Sequence, residues 1–386
     1  MPVRSPVYLD HHATTPVDPR VLEAMLPYLS DEFGNAASRS HAYGWRAEAA
    51  VERARGDVAA ALGARDSEIV FTSGATEANN LALLGAFRRR HGRGRDGMVT
   101  LATEHPAVLD PLAALEREGA RVEVVPVERD GRVDLERLRC AVDERTAVVS
   151  VMAANNEIGV LQPLDAIGQI ARQAGAWFHT DAAQAGGRLA LRTDEQAIDL
   201  LSLSGHKLYG PKGVGVLFVR GRRPRVQLEP LMYGGGHERG LRSGTLPVAL
   251  IVGFAAALRL ALEEREAEWR RLTALRDGLW QRLDGSLDGL HWNGAREQRL
   301  PGNLNVSIDG VDIDRLLLAL PELAVSTGSA CSSAKPEPSH VLLALGLSEV
   351  LARSSLRFGL GRSTTAEDAD FAAGRVIEAV RAQRAG

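Results

Sequence analysis

At 386 residues, with 45% hydrophobic and 25% charged side chains, the chain has a globular composition and the length for two domains. A net charge of −3 with interspersed acids and bases provides no basic face for nucleic acid, and two cysteines exclude a disulfide framework or a four-cysteine metal site. The amino terminus has no apolar core of signal-peptide length, and the longest apolar run, 246–258, is too short to span a bilayer, so a cytoplasmic protein without a membrane partner is expected.

From residue 45 to about 260, short β-branched runs alternate with helix-period segments. Strands are predicted over 69–72, 98–102, 121–127, 146–153, 176–180, 198–203 and 214–219. Between them lie helices over 107–118, 134–143 and 164–174, and one that runs to Arg90 after Ser73-Gly74-Ala75-Thr76. Such alternation predicts an α/β fold with a mostly parallel sheet covered on both faces. Sheets of that kind bind ligands beyond the carboxyl ends of their strands. Thr76, Glu104-His105, Asn155-Asn156, Asp181 and Gln184 all fall at those ends. Singly, Ser73 or Thr76 is a helix cap and Asp181 a strand-end cap; together they suggest a site, with the SGAT amides free to hold a phosphate.

The run SLSGHKLYGPKG, 202–213, follows the strand 198–203. Of 46 basic side chains only Lys207, Lys212 and Lys335 are lysine. Arginine cannot lose its proton in water, whereas an amine at a strand end can, and imine formation with an aldehyde such as pyridoxal phosphate requires that loss. A surface loop that kept its lysine by chance is the competing account of this stretch.

Beyond residue 220, the glycine-rich, polar 233–245 is either a flexible surface loop or a close approach to a backbone or an anion. Helix is predicted over 246–284, bridging to a second domain that holds a strand over 303–308 and helices over 312–319, 339–344 and 366–382. Residues 326–338, STGSACSSAKPEP, combine small residues with two prolines and no periodicity, which predicts a mobile loop. A buried, inert fate does not suit Cys331 there, and it is the candidate nucleophile. Cys140, on a predicted helix beside arginine and off its apolar stripe, needs no role. His11-His12 is expected as a pair of solvated turn histidines, with no metal-ligand pattern.

The blocks YLDHHATTPVDPRV, FGNAASRSH, FTSGATEANNLAL, TEHPAVLD, VSVMAANNEIGVLQP, FHTDAAQA, SGHKLYGPKGVGVLFV, GGGHERGLRSGTLPV, STGSACSSAKPEPSHVLLALGL and SSLRFGLGR occur in this order. With them the chain, from Tyr8 to about Arg362, resembles the cysteine desulfurases of the NifS/IscS-like group. The resemblance implies a pyridoxal-phosphate-dependent transferase of fold type I. Its large cofactor domain would span 15–262, and a smaller α+β domain would comprise 1–14 and 263–386. Lys207 would bond the cofactor aldehyde, Asp181 the pyridinium nitrogen, and His105 would stack on the ring and transfer protons. Ala75, Thr76, Ser204 and His206 would hold the phosphate, with Thr245 supplied by the partner subunit of a homodimer. Gln184 would contact the ring hydroxyl beside Asn156, and Asn35 and Arg357 would hold the carboxylate of L-cysteine. Cys331 would take the sulfur as a persulfide and carry it to an acceptor protein, an iron–sulfur scaffold or sulfur carrier, leaving L-alanine. The sequence stops at Gly386, soon after its last predicted helix, where housekeeping members carry a longer tail that helps dock the scaffold. Alternatives are selenocysteine lyase, a class V aminotransferase, against which Cys331 counts, and a non-catalytic sulfur carrier of the same fold.

Overall fold

A computed structural model describes residues 6–327 and 338–385. Its centre is a seven-stranded sheet with spatial order Ile69–Thr72, Gly215–Val219, Leu200–Ser204, Trp177–Asp181, Thr146–Ser150, Gly97–Leu101, Arg121–Val125. Only Gly215–Val219 runs against the other six. The first six of these strands are buried at every residue, the state expected of a sheet covered on both faces.

Period-two alternation feeds two cores. Val70, Met98, Val148, Leu200 and Leu217 pack under the helices Ala75–His91 and Pro106–Arg117. Phe71, Val99, Val149, Phe178 and Leu201 face the opposite layer, which includes Ala42–Leu62, Leu164–Ala174 and the start of Val248–Asp284. The last of these helices begins two residues later than expected because Pro247 occupies its cap. It then passes into a separate core made by Leu272, Leu279, Leu283, Val306, Phe358, Ala372 and Val376. There an antiparallel sheet sets Asn303–Ile308 between Ser355–Gly359 and Leu290–Trp292.

His11 and His12 depart from the sequence reading. They are 0% and 2% exposed, because Val7–Tyr8 pairs with Leu323–Ala324 and the chain then crosses the backbone of Gly359 between the two cores. The polar loop 233–245 is likewise pinned. Glu238 is buried and accepts hydrogen bonds from Arg55 at 2.7 and 2.9 Å and from the Phe71 amide at 2.7 Å. Among the described residues, no helix is long and apolar enough to cross a membrane.

Candidate active site

The carboxyl ends of the central strands surround a cavity of about 500 Å3. Its lining includes Ala75, Thr76, His105, Asn156, Asp181, Gln184, Ser204, His206, Lys207 and Arg357. Asn35 and Thr245 are exposed and do not line it, and the Asn35 side-chain Oδ1 instead accepts from the Ala37 amide at 2.9 Å. Cys331 lies outside the described residues.

One end of the cavity is shaped for an anion. Gly74 caps Ala75–His91 without a side-chain acceptor, so the first-turn amides have neither a capping side chain nor an intrahelical partner. The turn reaches the sheet because Gly215 lacks a Cβ, which would stand 2.6 Å from Gly74 Cα and 2.5 Å from the Leu203 carbonyl oxygen. Ser204 ends its strand here, and His206 follows in the short turn Gly205–Lys207. Burial, with Lys207 and Lys212 nearby, lowers the His206 pKa to about 4. This combination of helix amides, a hydroxyl and lysine suits a phosphate group. Gly215→Ala is expected to lower cofactor affinity and to destabilise the fold by about 1–3 kcal/mol, since both atoms it meets are backbone. A denaturation midpoint and cofactor affinity equal to those of the parent protein would contradict the tight contact.

Beside this cradle Lys207 Nζ donates to the carbonyl oxygens of His12, 2.6 Å, and Ala13, 2.8 Å. Asp181, the last residue of its strand, accepts from Asn79 Nδ2 at 2.7 Å and from the Ala183 amide at 2.9 Å. Each carboxylate oxygen keeps lone-pair capacity for one more donor, as a protonated ring nitrogen requires. His105 caps Pro106–Arg117, its Nδ1 accepting from the Ala107 amide at 3.0 Å. That bond puts its proton on Nε2. Burial lowers the His105 pKa, so the ring is held neutral. An amine, a buried carboxylate, a neutral imidazole and an anion cradle therefore fit pyridoxal phosphate.

Several contributors escaped the sequence reading. Asn79 orients Asp181 from the buried side of a helix, where the pair Asn79-Asn80 among alanine and leucine was the available signal. His179 bridges Ser150 at 2.8 Å and Ser202 at 3.1 Å, tying three strands together below Asp181. Burial lowers its pKa to about 3, so it serves as a neutral brace. Glu104, fully buried with Oε1 accepting from the Met152 amide at 2.8 Å, is pushed well above the usual carboxylate range by desolvation. Its place beside His105 at a strand end marked it for the site, but nothing in its sequence context shows that it is fully buried.

Arg357 joins this site to the second core. Its Nη1 donates to the Asn156 carbonyl at 2.8 Å, its Nη2 to Asp10 at 2.7 Å, and its amide to the Ser326 carbonyl at 2.7 Å. On the far side of residues 328–337, Ser339 hydrogen-bonds Glu157 and caps His340–Ala344, while His340 Nε2 contacts the Glu104 carbonyl oxygen at 2.9 Å.

The class-V aminotransferase family model matches residues 7–371. The cysteine desulfurase IscS of Anaeromyxobacter sp. (strain Fw109-5) is 56% identical over 382 residues, covering 99% of this chain and 94% of that protein. A solved NifS-like protein, 37% identical, superposes with a TM-score of 0.90 over 97% of this chain and 99% of its own. A structure of SspA in complex with cysteine, also 37% identical, has a TM-score of 0.81 over 92% of this chain and 98% of its own. By family model, full-length relatives and fold, the chain belongs to the class-V aminotransferases, in the group that holds the IscS and NifS-like cysteine desulfurases.

Proposed function

We propose that the chain removes sulfur from L-cysteine, releases L-alanine, and holds the sulfur as a persulfide on Cys331 for an acceptor protein in iron–sulfur or other thio-cofactor assembly. The observation that carries this reading is the convergence of Lys207, Asp181, His105 and Arg357 on one cavity. The SspA relative solved with cysteine supports the choice of substrate.

Pyridoxal phosphate, when bound, supplies an electron-withdrawing ring conjugated to the substrate Cα. Lys207 Nζ holds the cofactor aldehyde, then as a free amine takes the Cα proton and later returns one. The carboxylate of Asp181 would keep the ring nitrogen protonated, and His105 would lie against the ring with its Nε2 proton available. Ala75, Thr76, Ser204 and His206 hold the phosphate, Gln184 meets the ring hydroxyl beside Asn156, and the Arg357 guanidinium grips the substrate carboxylate. The Cys331 thiolate then attacks the substrate sulfur: an S–S bond forms, the C–S bond breaks, and its electron pair leaves on carbon to be protonated as alanine.

Segment 328–337 has one flank bonded to Arg357 and the other to Glu157 and Glu104, all next to the cavity. Both described flanks therefore sit beside the cavity, which supports a thiol delivered from between them. For the homodimer the support is the run of exposed apolar side chains Leu22, Leu26, Leu29, Phe33, Tyr43 and Trp45, the composition of an interaction face. Asn35 lies within that stretch. Thr245 adjoins Leu246, which lines a groove with Ala36 and Ala37. A partner covering this face would receive both residues. The compartment proposed is the cytoplasm, where thiols stay reduced.

Native mass spectrometry of the holoenzyme after loading with L-cysteine tests this reading. The expected species is a dimer, each chain heavier by at least one sulfur atom, with that sulfur located by peptide fragmentation on Cys331. Sulfur found on Cys140 alone, or none on the protein while alanine accumulates, would overturn the proposal.

A further inference from the structure

We propose that His12 is a positioning residue which fixes the Gln184 carboxamide with its NH2 group toward the ring oxygen of the cofactor. This rests on the pyridoxal phosphate reading above and assigns a function to a side chain that reading leaves idle.

His12 lines the cavity and is 2% exposed, and Gln184 is 4% exposed. The orientation of the amide follows from its neighbours. Arg188 has only hydrogens to offer, so the Gln184 atom 3.2 Å from its Nη1 is the oxygen. Gln184 Nε2 donates to the His12 carbonyl oxygen at 2.9 Å, which uses one of its two hydrogens and leaves the other for the cavity. His12 Nδ1 faces the same Gln184 oxygen at 3.3 Å and must therefore carry the ring proton. Turning the amide over would set oxygen against the His12 carbonyl and NH2 against both Arg188 and the Nδ1 proton.

The charged groups facing the imidazole are Arg188, Arg357 and Lys207, all cationic, and with burial they keep it neutral. It is thus unsuited to carrying protons and suited to a fixed donor role. Its Nε2 has no hydrogen-bond partner among the described residues. An apolar side chain would avoid that buried lone pair, so stability alone does not call for histidine here. The same residue accepts from Lys207 Nζ through its carbonyl, so one short segment positions both the amine and the amide that would face the cofactor.

The test is a pH titration of the visible absorbance of the holoenzyme. A donor at the ring oxygen favours the deprotonated form, so losing it moves the midpoint upward. His12→Phe, which keeps the ring and loses the donor, is expected to move the midpoint up by about one pH unit, a tenfold change in the proton equilibrium. His12→Asn, whose amide can still donate to Gln184, stays with the parent protein. Gln184→Ala moves up by a similar amount, and the double variant moves no further, because one contact acts through the other. Equal midpoints for His12→Phe and His12→Asn, or additive shifts in the double variant, would overturn the proposal. Should His12→Phe fail to fold, His12→Ala takes its place in the same comparison. A parent protein with no visible band would defeat the pyridoxal reading instead.

Discussion

Lys207→Ala abolishes cysteine turnover, with kcat expected to fall by about 10⁴-fold, the upper range for a positioned acid–base group that is also the covalent anchor. Lys207→Arg fails equally. It keeps the positive charge and most of the length but cannot surrender a proton at any working pH. The pair separates chemistry from electrostatics, since a merely attractive charge at this position would survive the arginine change. Folding is expected to persist, because Lys207 is part-buried and its bonds to the His12 and Ala13 carbonyls are made to a loop, outside the apolar cores. Absorbance spectroscopy reads the second half of the result: the band shifts to that of cofactor held without a covalent link. Turnover within tenfold of the parent protein in either variant would remove Lys207 from the mechanism.

Cys331→Ser is expected to stop sulfide release, to below about one part in 10³ of the parent rate, while the visible band remains and still responds to added cysteine. A hydroxyl matches the thiol in size but is scarcely ionised at neutral pH, so it is not the nucleophile a thiolate is. The two variants thus fail at different points, one before the Cα proton moves and one at the C–S bond. Cys140→Ser supplies the control. Cys140 is exposed on the helix Leu135–Ala141 and is not among the residues that line the cavity. Alanine and sulfide production by that variant should match the parent protein. Sustained sulfide release by Cys331→Ser would mean that another group accepts the sulfur.

Much of the central sheet could be read from the chain because its strands are short, apolar and separated by helices with clear stops. Ile69–Thr72, Leu164–Ala174 and Asn303–Ile308 have the expected limits. The strand Ser355–Gly359 was visible only as a motif. Arg357 interrupts its apolar pattern, and its burial depends on Asp10 and Asn156, which are far away in sequence. Site residues at strand ends were legible for the same reason the strands were: Asp181, Ser204 and Lys207 sit at defined steps from an apolar run. Groups that act from beneath the site were not. Asn79, Glu104, His12 and His179 owe their states to burial, and burial of a polar side chain is a tertiary outcome that local composition does not encode.

The helix Val248–Asp284 contains no proline and runs unbroken from the first core into the second. At 1.5 Å per residue it forms a strut roughly 55 Å long. A strut of that kind sets the spacing of the two lobes and leaves little room for them to swing apart like jaws. Any opening of the cavity by a hinge between the two cores would have to bend this helix.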